Sequence, residues 1–230
     1  MYKYVFIDLD DTLWDFHANA KSTLEEVYNA RNLGKFFDNF EQYFQPYTKR
    51  NLELWVEYGK GAVTKEELTL ERFLHPLRLV GINDSELALN MGREYLDLLP
   101  SRTALVPYAI ELLEYLHAKY PLTIVSNGFK EVQYKKIESS NIGQYFAHIV
   151  LSEGAGALKP DKRIFEYAMN LNGAKPHESI MIGDSYEADI VGAQNAGIDQ
   201  IYFIPLLAQD ENDKSATHKV KRLEEITTII

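Results

Sequence analysis

Five short runs in the chain are apolar without alternation: YVFI (4–7), LTIVS (122–126), HIVLS (148–152), SIMIG (179–183) and QIYFI (200–204). A strand with one wet face alternates apolar and polar side chains, whereas an unbroken run buries both faces, as in a parallel sheet covered by helices. Helical patterns separate the later runs. KRIFEYAMNLNG (162–173), for example, closes on a glycine suited to a helix C-terminus. The alternation predicts an α/β fold built on a doubly wound parallel sheet with right-handed crossovers. Such crossovers bring the carboxyl ends of the strands to one edge, where ligand sites of open parallel sheets form.

Residues 15–105 break this rhythm, being rich in Phe, Tyr, Leu and Glu and helical in period. Thr64 and Glu67 in TKEELTLERFLHPLRLVG fit a capping box, and NDSELALNMGREYLDLL opens in the same way before Pro100. The segment predicts an α-helical cap inserted after the first strand, leaving 1–14 and 106–230 as the core. At the far end, AQDENDKSATHK (208–219) predicts a polar loop and VKRLEEITTII a final short helix.

Of the 230 residues, 46% are hydrophobic, enough to build such a core. The absence of cysteine excludes disulfides, a thiol nucleophile and a thiolate metal site, and suits a reducing cytoplasm. A net charge of −10 without any Lys/Arg block argues against a nucleic-acid polymer as partner. No run approaches the roughly 18 apolar residues of a membrane helix. The opening MYKYVFID is too short in its apolar part for a secretory signal, so a cytoplasmic protein with no membrane partner is expected.

The first run leads into DLDDT (8–12). On a strand Asp8 and Asp10 point to one side and Leu9 to the other. If the chain turns near Asp10, two carboxyls crowd the sheet edge, which is costly unless a cation or a shared proton compensates. Mg²⁺ would do so with oxygen ligands, leaving room for waters and a substrate phosphate, and a metal-assisted phosphoryl transfer site follows. An acidic turn capping the next helix is the competing reading. Ser126, Asn127 and Gly128 close the second run with small hydrogen-bonding groups and a glycine that lets an anion approach, although the tripeptide is also a common turn. Lys159 stands before a proline suited to a helix's first turn, which would hold its ammonium near the edge; a lone lysine is otherwise solvated. Asp184 ends the fourth run, and Asp189 follows on the helix that opens there, with a helix cap and solvated surface as the plain alternatives.

Taken in order, DLDDT (8–12), SN (126–127), Lys159 and GDSYEAD (183–189) resemble the four motifs of the haloacid dehalogenase-like superfamily of phosphatases. The resemblance implies that Asp8 is a nucleophile forming an aspartyl-phosphate, and that Asp10 is the acid for the leaving alkoxide and then the base for water. It implies Mg²⁺ as cofactor, held by the carboxylates of Asp8 and Asp184 and the main-chain carbonyl of Asp10, with Asp189 in or beside that shell. Ser126 and Lys159 would hold the phosphoryl oxygens, with Asn127 and Gly128 beside them and Thr12 as a hydrogen-bonding support. Asp11 receives no chemical role beyond shaping the turn.

The superfamily also contains dehalogenases, phosphonatases and phosphomutases. A halide leaves without a proton, so the acid at Asp10 points to phosphate esters; mutases of this type usually carry Gly where Asp11 stands. A dinucleotide site is a poor alternative, because GAGALK (154–159) lacks the third glycine and follows the third run. A metal- and phosphate-binding regulatory module without turnover is the non-enzymatic alternative. LWVEYGKGAVT (54–64), with SNGF and SEGAGALKPDKRIFEYA, is most similar to the bacterial pyrimidine-nucleotide 5′-nucleotidases. That similarity implies a small phosphorylated metabolite, a pyrimidine nucleoside 5′-monophosphate first and a sugar phosphate as the alternative, acted on by a monomer or homodimer. Trp55 or Tyr58 would stack on the base, or else pack the cap's helices.

Overall fold

The computed structural model describes residues 1–204 and 215–230. Six strands form one sheet: β1 (Tyr4–Ile7), β2 (Leu122–Ser126), β3 (Phe146–Leu151), β4 (Ser179–Gly183), β5 (Asp199–Phe203) and β6 (His218–Val220), in the order β3-β2-β1-β4-β5-β6. Every neighbouring pair is parallel. The central strands β1, β2 and β4 coincide with the apolar runs, since burial on both faces admits only small polar side chains that are hydrogen-bonded, here Thr123, Ser126 and Ser179. The edge strands were less legible. β3 starts two residues before its apolar run, at Phe146, with half-buried positions that an edge tolerates. β6 lies where a loop and the start of a helix are expected, because three residues are too short to show a period. Residues 208–214 of that expected loop lie outside the described residues. The expected last helix is a 3-10 stretch, Leu223–Thr228.

The chain divides into two compact units, Met1–Phe16 with Thr103–Ile230, and His17–Arg102. The second unit consists mainly of α1 (Phe16–Ala30, whose first residue belongs to the sheet unit), α2 (Phe40–Gly59), α3 (Lys65–Leu79) and α4 (Ser85–Leu98). Thr64 and Glu67 form a reciprocal capping box at α3, and Asp84 caps α4 by accepting from the Leu87 amide. The core of this unit is aromatic: Tyr47 and Tyr95 flank Phe73, with ring centroids 5.2 and 5.5 Å from it.

In the sheet unit the helices are α5 (Ala109–His117), α6 (Lys130–Ser139), the single turn α7 (Ser152–Ala155), α8 (Lys162–Asn172) and the short α9 (Gly192–Asn195). α8 ends at Gly173 and sets Ile164, Phe165 and Met169 into a core with Phe6, Val125, Val150 and Met181. Each such side chain contributes about 1.5–3 kcal/mol of apolar burial, which locks the helix onto the sheet. Among the described residues no helix is long and apolar enough to cross a membrane.

Strand order fixes where a ligand can go. The chain runs from β1 to β2 and β3, then returns to β4 on the other side of β1. The order therefore reverses between β1 and β4, and the crevice at a switch point opens at the carboxyl ends of those strands. Asp8 and Asp184 occupy those two ends.

Candidate active site

Asp8 stays in register with β4, its amide donating to the Ile182 carbonyl at 2.9 Å. The chain then turns: the Asp11 amide donates to the Trp14 carbonyl at 2.7 Å, and Asp11 takes a left-handed φ of 58°, which Asp tolerates better than most residues. Asp11 thus shapes the turn, while Leu9 is buried in the interior.

Asp8 is 7% exposed, and its Oδ1 accepts from Lys159 Nζ at 2.6 Å. The same ammonium donates to Asp189 Oδ1 at 2.6 Å, and Asp189 is fully buried. Lys159 is placed by Asn127. The Asn127 amide brackets the lysine's backbone, Nδ2 donating to its carbonyl at 2.9 Å and Oδ1 accepting from its N–H at 2.8 Å. Asn127 therefore fastens the loop that carries Lys159 to the end of β2. Pro160 lies ahead of the helix and not in its first turn, since Asp161 is the N-cap of α8.

At the end of β4 a side chain on residue 183 would collide with Asp189: a Cβ there would lie 2.3 Å from Asp189 Oδ2. Glycine leaves that space to the carboxylate. Ser185 caps the following π-helical turn (Tyr186–Val191), its Oγ accepting from the Ala188 amide at 3.3 Å, while its own amide donates to Asp189 Oδ2 at 3.0 Å. π-Helical turns recur at functional sites, where the extra residue redirects a side chain. Thr12 Oγ1 donates to Asp184 Oδ1 at 3.0 Å, so its hydroxyl steadies that carboxylate.

Carboxylate oxygens of Asp8, Asp184 and Asp189 lie within 4.8 Å of one another. Three ionised carboxylates facing one ammonium would leave two negative charges without compensation. Burial pushes Asp8 up to about 7, Lys159 opposing and Asp189 and Asp10 adding to the rise. Burial, then the charges of Asp189, Asp8 and Asp11, hold Asp184 well above the usual carboxylate range. For Lys159 burial works downward, but the charges of Asp189 and Asp8 outweigh it and the ammonium is held more firmly than in water. Such a cluster of hard oxygen donors with excess negative charge fits a divalent cation such as Mg²⁺.

Asp10 points its carboxylate elsewhere. Oδ1 accepts from Lys136 Nζ at 2.6 Å and Oδ2 from Gln133 Nε2 at 2.8 Å, both on α6. That carboxylate therefore lies outside the group formed by Asp8, Asp184 and Asp189. Gln133 Nε2 also donates to Ser126 Oγ at 2.7 Å, as does the Gly128 amide at 3.2 Å. Ser126 thus accepts two hydrogen bonds, and its own hydrogen remains to be donated to an anion. Gly128 makes room for this network: a Cβ there would lie 2.2 Å from Gln133 Nε2. Sequence reasoning did not find Gln133 or Lys136. The available signal was a pair of polar residues three apart on one helix face, a few residues after Ser126.

The family model of the haloacid dehalogenase-like hydrolases matches residues 2–197, and the chain belongs to that family. It is 30% identical over 230 residues to the HAD-hydrolase YfnB of Bacillus subtilis, covering all of this chain and 95% of that one. The crystal structure of YfnB bound to magnesium superposes with a TM-score of 0.88 at 28% identity, covering 99% of this chain and 98% of the other. The pyrimidine 5′-nucleotidase YjjG of Escherichia coli is 29% identical over 197 residues, 85% of this chain and 83% of that one. A glyceraldehyde 3-phosphate phosphatase of Methanothermobacter thermautotrophicus is 29% identical over 231 residues, 93% of this chain and 90% of that one.

Proposed function

We propose that this hydrolase is a Mg²⁺-dependent phosphatase of small phosphomonoesters that works through an aspartyl-phosphate on Asp8. The observation that carries the reading is the placement of Asp8 at the sheet's switch point, held by Lys159 Nζ at 2.6 Å and sharing a carboxylate cluster with Asp184 and Asp189. An Asp8 oxygen attacks phosphorus, the bond to the ester oxygen breaks, and the protonated Asp10 carboxyl gives its proton to the departing alkoxide. Asp10, now a carboxylate, removes a proton from water as that water attacks phosphorus; phosphate leaves and the Asp8 carboxylate is restored. Ser126 donates its remaining hydrogen to a phosphoryl oxygen, and Lys159 offers a fixed positive charge to the same group. Asn127 and Gly128 act indirectly, through Lys159 and Gln133, and Thr12 through Asp184.

Asp8 and Asp184, with the Asp10 carbonyl, would hold the metal, and Asp189 lies within reach of the same position. Bound there, Mg²⁺ supplies positive charge to offset the clustered carboxylates and the phosphoryl oxygens. The YfnB structure with magnesium supports this choice of ion.

For substrate we assign nucleoside 5′-monophosphates, pyrimidines first, supported by the likeness to YjjG and by the cap phrase at 54–64. Trp55 and Tyr58, half-buried and paired edge to face at 5.8 Å, are the rings offered to a base. A sugar phosphate is the second reading, supported by the glyceraldehyde 3-phosphate phosphatase relative. We place the enzyme in the cytoplasm as a monomer or homodimer. Phosphate release with Mg²⁺ over a panel of nucleotides and sugar phosphates tests the assignment. Pyrimidine monophosphates should give the highest kcat/KM, and Trp55→Leu or Tyr58→Leu should weaken them selectively against a generic aryl phosphate. Higher kcat/KM for sugar phosphates than for every nucleotide would replace the first reading by the second. No release from any compound would indicate a regulatory module.

A further inference from the structure

Lys136 is 2% exposed, and a lysine is seldom buried to that degree unless it is paired. Its ammonium lies 2.6 Å from Asp10 Oδ1, 4.3 Å from the centroid of the Trp14 ring and 5.3 Å from that of Phe16. Trp14 is itself fully buried, so the aromatic floor under the charge is rigid. Gln133 has no exposed surface either, and it reaches the other Asp10 oxygen at 2.8 Å. A single hydrogen bond would leave the Asp10 carboxylate free to rotate about its Cβ–Cγ bond. Two donors on its two oxygens, both from one helix, fix the plane of the group.

Each carboxylate oxygen has a second lone pair, so Asp10 can carry the proton destined for the leaving group, or accept one from water, while α6 holds it. The Asp10 side chain is still 28% exposed, which leaves that remaining face open. The Gln133 amide also donates to Ser126 Oγ at 2.7 Å. One side chain therefore sets the distance between the group that moves the proton and the hydroxyl at the end of β2.

We propose that Lys136 and Gln133 are positioning residues that lock the Asp10 carboxylate for proton transfer and tie it to Ser126. The proposal rests on the reading of Asp10 as the acid and base of a phosphatase. Misplacing a reacting group by about 1 Å costs on the order of 10²-fold in rate. Lys136→Met should therefore lower kcat/KM for an alkyl phosphate by about that factor. The loss should be clearly smaller for p-nitrophenyl phosphate, whose leaving group departs without a proton. In an Asp10→Asn background the same change should do nothing further, because a residue acting through Asp10 has nothing left to position. Gln133→Leu is read in the same way and replaces Lys136→Met if that variant does not fold.

Equal losses on both substrates, or an undiminished loss in the Asp10→Asn background, would make these residues mere structural support and overturn the proposal. So would near-native kcat/KM in both variants while Asp10→Asn is crippled. Near-native turnover by Asp10→Asn itself would instead sink the acid–base role on which the proposal stands.

Discussion

Replacing Lys159 by methionine keeps its bulk and removes the charge that bridges two buried carboxylates at 2.6 Å each. Asp189, with no exposed surface, would keep the hydrogen bond from the Ser185 amide but lose its cationic partner. Stranding a buried charge by deleting its partner costs about 3–5 kcal/mol, a large part of the roughly 5–15 kcal/mol that holds a domain together. The loss should depend on pH. Asp8 already sits at about 7, and its unfolded value is near 3.9; removing the ammonium raises the folded value further. A carboxyl whose folded pKa is raised destabilises the fold fully above that pKa and ceases to do so as protonation proceeds toward the unfolded pKa. The variant's deficit should thus be larger at pH 8 than at pH 5. Urea unfolding in EDTA measures it, followed by Trp14 fluorescence in a Trp55→Phe background, since these are the chain's two tryptophans and Trp14 belongs to the sheet unit. Adding Asp189→Asn to Lys159→Met should recover part of the loss, because the stranded charge is then gone. A variant as stable as the parent at pH 8, or equally weakened at both pH values, would refute the view that Lys159 offsets these carboxylates.

Two further outcomes follow from the same cluster. Phosphatase activity should vanish in EDTA and return with Mg²⁺, as read by phosphate release; undiminished turnover without a divalent ion would contradict the metal assignment. Gly183→Ala should push Asp189 away from Lys159, because the added Cβ falls 2.3 Å from its carboxylate; a stability loss of about 1–3 kcal/mol in urea unfolding is expected, with kcat/KM reduced as well.

Much of this architecture was legible because the central strands obey a rule that is local in sequence. A strand buried on both faces is apolar but for small hydroxyls, so YVFI, LTIVS and SIMIG could be read as they stand. The strand ends then brought Asp8 and Asp184 to one crevice, and Lys159 and Asp189, which the motif resemblance implies, lie in the same cluster. What was not legible depends on distant partners. Lys136 and Gln133 look like surface residues of a polar helix, and their burial is decided by Asp10, more than a hundred residues away. Gly128 reads as a point of close anion approach or a turn, and Gly183 as the end of a strand, yet each makes space for a side chain, Gln133 in one case and Asp189 in the other. β6 escaped because a three-residue edge strand carries no period of its own.

The central claim is that the Asp8 carboxylate becomes covalently phosphorylated. Quenching the enzyme during turnover, reducing acyl phosphates with borohydride and mapping peptides by mass spectrometry tests this directly. Asp8 should be found converted to homoserine in the turning-over enzyme, and Asp8→Asn should show neither the adduct nor phosphate release. An unmodified Asp8 beside another modified residue, or sustained turnover by Asp8→Asn, would contradict it.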